Sequence, residues 1–328
     1  MYTDMSEASL QTHRSTQTEP HDFDAFWADT LAEAARHPLA VTATRVTDAP
    51  GSPALTTLDV YDVTFTGFGG QRISAWLRVP AGTTQPLPAI VQFHGYGRGR
   101  GQAFENLLWA SAGYAHFDMD VRGQGSGGTT GVTPDDDGGS RSGPQVPGFM
   151  TRGIEAPGSY YYRRLYTDAV RAVAAARALD LVDETRVAVM GTSQGGGIAL
   201  AVAGLVPGLA AVVARVPFLC DFPRASVITD AMPYREIAQY LAVHRLSVAT
   251  VYETLSYFDG VNFAKRATAP GVFTAGLMDA ICPPSTVFGA FHSYAGPKDV
   301  TVWQYNGHEG GAWEDDALAL RAFAEHLR

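Results

Sequence analysis

The stretch VAVMGTSQGGG, Val187 to Gly197, constrains this chain more than any other. Gly191-Thr192-Ser193-Gln194-Gly195 fits G-x-S-x-G, between an apolar, strand-like run ending at Met190 and an apolar, helix-like run beginning near Gly196. A chain that passes from strand to helix through one serine holds that serine in a strained backbone conformation, so small residues must flank it. The turn lifts the serine Oγ above the sheet. It also sets Ser193 at a helix N-terminus, where aligned peptide dipoles favour developing negative charge. A bare G-x-S-x-G also occurs as an ordinary turn with a capping serine. The strand before it, the helix after it and the additional glycines favour the catalytic reading.

The chain around this turn alternates in the same manner. "PAIVQFHG" is short, apolar and rich in β-branched residues, the texture of a strand buried on both faces, and a helix-like stretch around "AFENLLWASAG" follows it. Strand "YAHFDMDV", helix "YYYRRLYTDAVRAVAAARAL", strand "RVAVMG", helix "GGIALAVAGL" and strand "AAVVARVP" continue the series. Strand "PGVFTAGLMD", helix "STVFGAFHSYAG", strand "DVTVWQYN" and helix "WEDDALALRAFAEHL" complete it. Such alternation predicts an α/β fold, a mostly parallel sheet covered by helices on both faces. Ahead of it, "DFDAFWADTLAEAARH" sets Phe23, Phe26, Trp27 and Leu31 on one helix face, and "LDVYDVTFTGFGGQRISAWLRVP" alternates at period two, as an antiparallel hairpin does. No repeat or low-complexity linker divides the 328 residues, so 1–328 reads as one domain with a polar N-terminal segment, 1–20. The irregular segment 127–158 reads as a long loop insertion, a lid or binding loop. Its run Asp135-Asp136-Asp137-Gly138 lacks the alternating carboxylates and distal Glu of a calcium loop, and reads as a solvated turn.

The net charge of −9 argues against a nucleic-acid partner, which would need clustered Lys and Arg. Two cysteines, Cys220 and Cys282, form no C-x-x-C pattern, so neither a disulfide scaffold nor a structural metal site is expected, and a cytoplasmic location suits the count. The polar start carries no apolar signal core. The most apolar window, Ile198 to Leu219, is split by Pro207 and Gly208 and reads as buried core, not as a membrane span.

A serine nucleophile needs a base and a group that orients the base. In α/β-hydrolases these follow in the order serine, acid, histidine. Of the four histidines after Ser193, three lie in helix-like text: His244, His292 and His326. His308 alone follows a strand, on the small-residue loop "NGHEGG" at the carboxyl end where such sheets bind ligands. Asp279 ends the strand "PGVFTAGLMD"; Asp221, Asp230 and Asp259 follow no strand so clearly. The expected triad is therefore Ser193, Asp279 and His308. The expected oxyanion donors are the backbone N–H of Gln194, next after the nucleophile, and that of Tyr96 in the loop His94-Gly95-Tyr96-Gly97.

"HFDMDVRGQGSGG" competes with this reading, since Gly123, Gly125 and Gly128 satisfy the G-x-G-x-x-G of dinucleotide-binding turns. The text after Gly128, "TTGVTPDDDGG", has no helical period, so no helix N-terminus is available for a pyrophosphate, and no cofactor is expected. Arg122 and Gln124 are expected instead to brace the loops carrying Tyr96 and Ser193.

The segments "MDVRGQGSG", "PGFMTRGI", "GTSQGGGIALAVAGL", "TLSYFDGVNFA", "GLMDAICPPSTVF" and "NGHEGG" resemble carbohydrate esterase family seven, the acetyl xylan esterases and cephalosporin C deacetylases. The resemblance runs in the family's order from about Phe23 onward. It implies an α/β-hydrolase fold and deacetylation of small substrates, namely short acetylated xylo-oligosaccharides, related sugars and cephalosporin C. It also implies a cytoplasmic homohexamer. The family's triad falls on Ser193, Asp279 and His308, and its oxyanion donors on Tyr96 and Gln194. Its acyl-pocket positions fall on Trp109, Pro233 and Ile281. The chain departs from the family's usual text at Arg215, where an acidic residue is common, and at Asp221, where His or Asn is. A serine peptidase or thioesterase on the same scaffold, and a binding module with a decayed site, are the competing readings.

Overall fold

The computed structural model describes residues 1–47, 55–136 and 141–328, without the side chains of 141 and 142. In chain order the first elements are α1 (Glu7–Thr12), α2 (Phe23–Ala35), β1 (Thr42–Arg45), β2 (Leu58–Thr66), β3 (Arg72–Pro80), β4 (Leu87–Phe93), α3 (Leu108–Ser111) and β5 (Ala115–Met119). A two-strand ladder, β6 (Asp135–Asp136) and β7 (Arg141–Ser142), lies in the long loop. There follow α4 (Tyr161–Arg177), β8 (Val182–Thr192), α5 (Gln194–Leu205), β9 (Val212–Arg215), α6 (Phe222–Ile228), α7 (Tyr234–Val243), α8 (Val248–Ser256) and α9 (Gly260–Ala264). The last are β10 (Gly271–Gly276), α10 (Pro284–Ser293), β11 (Lys298–Trp303) and α11 (Trp313–His326).

Nine strands join in the order β1-β2-β3-β5-β4-β8-β9-β10-β11. The hairpin β2/β3 is antiparallel, as its period-two text predicts, and β3 runs antiparallel to β5. From β5 to β11 every pairing is parallel. Parallel strands need apolar side chains on both faces, and the central strands supply them. Val187 and Val189 of β8 point into a core shared with α2, α4 and α5, while Ala188 and Met190 point into a second core with α3 and α11. Ala89, Val91 and Phe93 of β4 face the first core and Ile90 the second. Each face is thus covered, as the alternation predicts.

Three local readings change. The helix around "AFENLLWASAG" shrinks to α3, because Asn106 takes a left-handed φ of 54° and its Nδ2 donates to Asp118 at 3.2 Å. The N-terminal segment holds α1, capped by Ser6, whose Oγ accepts from the Ser9 N–H, and anchored by a fully buried Leu10. Asp135 is no solvated turn residue: it is buried, with Arg152 and Arg164 on one oxygen at 3.0 and 2.8 Å and Arg122 3.3 Å from the other. Asp137 and Gly138 lie outside the described residues. Among the described residues no helix is long and apolar enough to cross a membrane.

Arg122 is fully buried, and its Nη2 meets Asp168 of α4 at 2.7 Å. Its guanidinium contacts two buried carboxylates, Asp168 and Asp135. Removing it leaves Asp168 without its buried cation, while Asp135 keeps Arg152 and Arg164, and an uncompensated buried charge costs far more than the pair adds. Arg122→Ala is expected to lower unfolding free energy by roughly 3–5 kcal/mol, measured by urea denaturation with an unchanged m-value.

Candidate active site

The parallel order fixes where the site must lie. Strand order reverses between β4 and β8, and ligands of open α/β sheets bind beyond the carboxyl ends at such a point. Tyr96 follows β4, Ser193 follows β8, Asp279 follows β10 and His308 follows β11.

Ser193 has φ 61° and ψ −122°, a sparsely populated conformation that costs about 1–3 kcal/mol. Its backbone is held from both sides: Ser193 N–H donates to Arg215 O at 2.9 Å, and its carbonyl accepts from Phe218 N–H at 2.9 Å. The flanking glycines are required by contact. A Cβ on Gly191 would stand 2.2 Å from the Gly195 backbone, and one on Gly195 would stand 2.1 Å from Phe93 O.

Asp279 and His308, chosen for the strand ends they follow, come together. His308 Nδ1 lies 2.8 Å from Asp279 Oδ2. The other oxygen, Oδ1, accepts the N–H groups of Ile281 and Cys282 at 2.8 and 2.9 Å, so the carboxylate cannot turn. With Nδ1 engaged, Nε2 is the ring nitrogen left to exchange a proton with serine. The competing residues lie elsewhere. His244 ends α7 stacked on Tyr240, His292 Nε2 bonds Leu10 O at 3.0 Å, and His326 is in the last turn of α11. Asp259 caps α9, Asp221 precedes α6, and Asp230 is exposed beside Arg235. Cys282 Sγ stands with the Asp279 and His308 donor atoms, all within 4.8 Å of one another. That set could hold a thiophilic cation, but burial raises the Cys282 thiol pKa well above its usual value and Asp279 and His308 already bond each other.

The backbone N–H groups of Tyr96 and Gln194 have no acceptor among the described residues. Gln124 joins the two segments that carry them: its Oε1 accepts from Gly97 N–H at 2.6 Å and its Nε2 donates to Gln194 Oε1 at 3.0 Å. The bracing expected of the R-G-Q text is therefore divided. Gln124 spans the Tyr96 loop and the elbow, whereas Arg122 ties α4 to the long loop. Below the Tyr96 loop, His94 Nε2 lies 2.6 Å from Asp118, itself bound by Arg78 at 2.8 Å. Burial pulls the His94 pKa down, but the Asp118 carboxylate carries it above the usual value.

One residue escaped the sequence reading. Glu236 of α7 accepts the Tyr96 hydroxyl at 2.7 Å and the Met150 N–H at 3.1 Å, and burial raises its pKa. It clamps the Tyr96 side chain to both α7 and the long loop. Glu236 and Tyr96 are 140 residues apart, and no local pattern marks such a pair.

These residues line a cavity of about 1140 Å³, whose walls include Tyr96, Ser193, His308, Glu236, Pro233 and Ile281. Trp109, expected in the acyl pocket, is not among the lining residues. Its indole N–H donates to Gln92 at 3.0 Å and its ring packs edge-on to Phe323 in the second core. Asp279→Asn is expected to lower kcat by about four orders of magnitude on an activated acetyl ester, because an amide N–H facing Nδ1 imposes the wrong tautomer. Steady-state kinetics with circular dichroism for retained folding checks it.

The acetyl xylan esterase (AXE1) family profile matches residues 1–324. A curated relative, the acetyl esterase Axe7A of Xylanibacter ruminicola, is 29% identical over 301 residues, covering 88% of this chain. The chain spans 63% of that relative's length. The solved structure of the acetyl xylan esterase from Paenibacillus sp. R4 is 39% identical with a TM-score of 0.88, covering 98% of this chain and 100% of that one. That of acetyl xylan esterase 1 from Thermoanaerobacterium sp. JW/SL YS485 is 33% identical with a TM-score of 0.87, covering 99% and 100%.

Proposed function

The chain belongs to the acetyl xylan esterase family, and from that premise we propose a serine carboxylesterase acting on acetylated xylo-oligosaccharides and related sugars, and on cephalosporin C. The observation that carries the reading is the 2.8 Å Asp279–His308 contact at the cavity into which Ser193 also opens.

The reaction follows from these positions. His308 Nε2 takes the Ser193 Oγ proton as Oγ bonds the acetyl carbon. The carbonyl oxygen becomes an oxyanion, received by the N–H groups of Tyr96 and Gln194, each donor contributing a few kcal/mol. His308 then gives its proton to the departing sugar oxygen, leaving acetyl-Ser193. Water enters, His308 takes its proton, and the hydroxide adds to the acetyl carbon through the same oxyanion site. Collapse returns the proton to Oγ and releases acetate. Asp279 remains ionised throughout, holding the tautomer and stabilising the imidazolium.

The cavity admits an oligosaccharide end, while Pro233 and Ile281, which line it with Ser193, would limit the acyl group. We place the protein in the cytoplasm, where its two free, buried cysteines suit a reducing medium, and assign it a homohexamer on family resemblance alone.

The test is a panel of acetyl, propionyl and butyryl esters on xylose and cephalosporin scaffolds. kcat/KM is expected to fall at least tenfold beyond acetyl, and Ser193→Ala to abolish turnover on all of them. Equal turnover of butyryl esters contradicts the tight acyl pocket. Preference for peptide or thioester substrates contradicts the function itself. Light scattering that gives a monomer removes the hexamer.

A further inference from the structure

The acid of the candidate triad is held by more than its own loop. Thr3 Oγ1 donates to the backbone carbonyl of Asp279 at 2.9 Å, and Thr3 N–H reaches Leu277 O at 3.4 Å. The next residue, Asp4, is 4% exposed at its side chain. Its Oδ2 accepts the Ser285 N–H at 2.9 Å and its Oδ1 accepts Arg224 Nη2 at 2.8 Å. Arg224 also donates from Nε to Ser285 Oγ. Two consecutive N-terminal residues therefore grip both ends of the loop from Asp279 to Ser285. Thr229 Oγ1 also donates to Ala280 O within it.

The grip is anchored. Leu10 of α1 is fully buried among Ala275 and Leu277 of the strand end that leads to Asp279, and Val287 and Phe288 of α10. His292 of α10 bonds the Leu10 carbonyl at 3.0 Å. Leu10 thus packs the N-terminal segment against the elements on either side of the acid-bearing loop.

The geometry points to Thr3 and Asp4 as positioning residues for Asp279: the N-terminal segment is a clasp that fixes the acid relative to His308. The inference rests on the esterase reading above. The Asp279 side chain is oriented by N–H groups of its own loop, Ile281 and Cys282. That loop is short and carries Pro283 and Pro284, which donate no backbone hydrogen bonds. Outside contacts must therefore supply part of its rigidity, and Thr3 and Asp4 are two of them. Displacement of the acid by a fraction of an ångström weakens transition-state stabilisation without altering ground-state binding.

The experiment compares Thr3→Val, Thr3→Ser and Asp4→Ala in the full chain, by kcat and KM on 4-nitrophenyl acetate and by thermal melting. Thr3→Val and Asp4→Ala are expected to lose about tenfold or more in kcat with KM within about twofold. Thr3→Ser, which keeps the hydroxyl, is expected to stay near wild type. An unchanged kcat in Thr3→Val and Asp4→Ala overturns the inference, as does a loss that only matches the fraction unfolded, or an equal loss in Thr3→Ser. If Asp4→Ala melts below the assay temperature, Thr3→Val alone decides the matter, since it leaves the Asp4–Arg224 pair in place. An inactive wild type contradicts the esterase reading instead, so the two failures are distinct.

Discussion

The close approach of Gly195 to the end of β4 is the constraint on which the rest depends. The Gly195 Cα presses on the Phe93 carbonyl so tightly that no side chain fits between them. This seats the first turn of α5 against the loop leaving β4, so the N–H groups of Gln194 and Tyr96 belong to two segments packed directly together. Gln124 and the Gln194 side chain, whose Nε2 donates to His94 O at 3.2 Å, lock that contact with hydrogen bonds buried from water. The strain at Ser193 is sustained because the surrounding backbone allows no alternative.

Charge inside the molecule serves position more than stability. Arg78–Asp118–His94 lies under the Tyr96 loop, and Arg122–Asp168–Asp135 joins α4 to the long loop. Desolvation cancels most of the Coulombic gain in such pairs, yet losing one partner is expensive, so each cluster penalises arrangements that separate the segments it links. His116, pushed down to about 3 by burial, stays neutral beside Arg78 and Asp118 and bonds Gln92, which in turn holds Trp109. Trp109 is thereby fixed in the second core rather than at the cavity.

The fold and the triad candidates were legible because each rests on local grammar. Period-two and helical runs marked the strands and helices. The G-T-S-Q-G turn carries its small flanking residues within five positions, and Asp279 and His308 stand where strands end. What stayed hidden depends on partners far along the chain. Glu236 is one polar residue in an amphipathic helix until Tyr96 folds against it. Asp135 reads as a loop carboxylate until three arginines surround it. Thr3 and Asp4 lie in polar text that gives no sign of docking, and Leu10 is one leucine among polar residues. Asn106 shortened α3 because its side chain found Asp118, a tertiary contact that outweighed helical spacing.

The most direct test is mass spectrometry of the protein mixed with 4-nitrophenyl acetate and quenched in acid during turnover. The account predicts the mass of one acetyl group on the peptide containing Ser193, formed in wild type and much reduced in Asp279→Asn. Rapid ester hydrolysis with no acetyl on that peptide, or with the label on another residue, would contradict it.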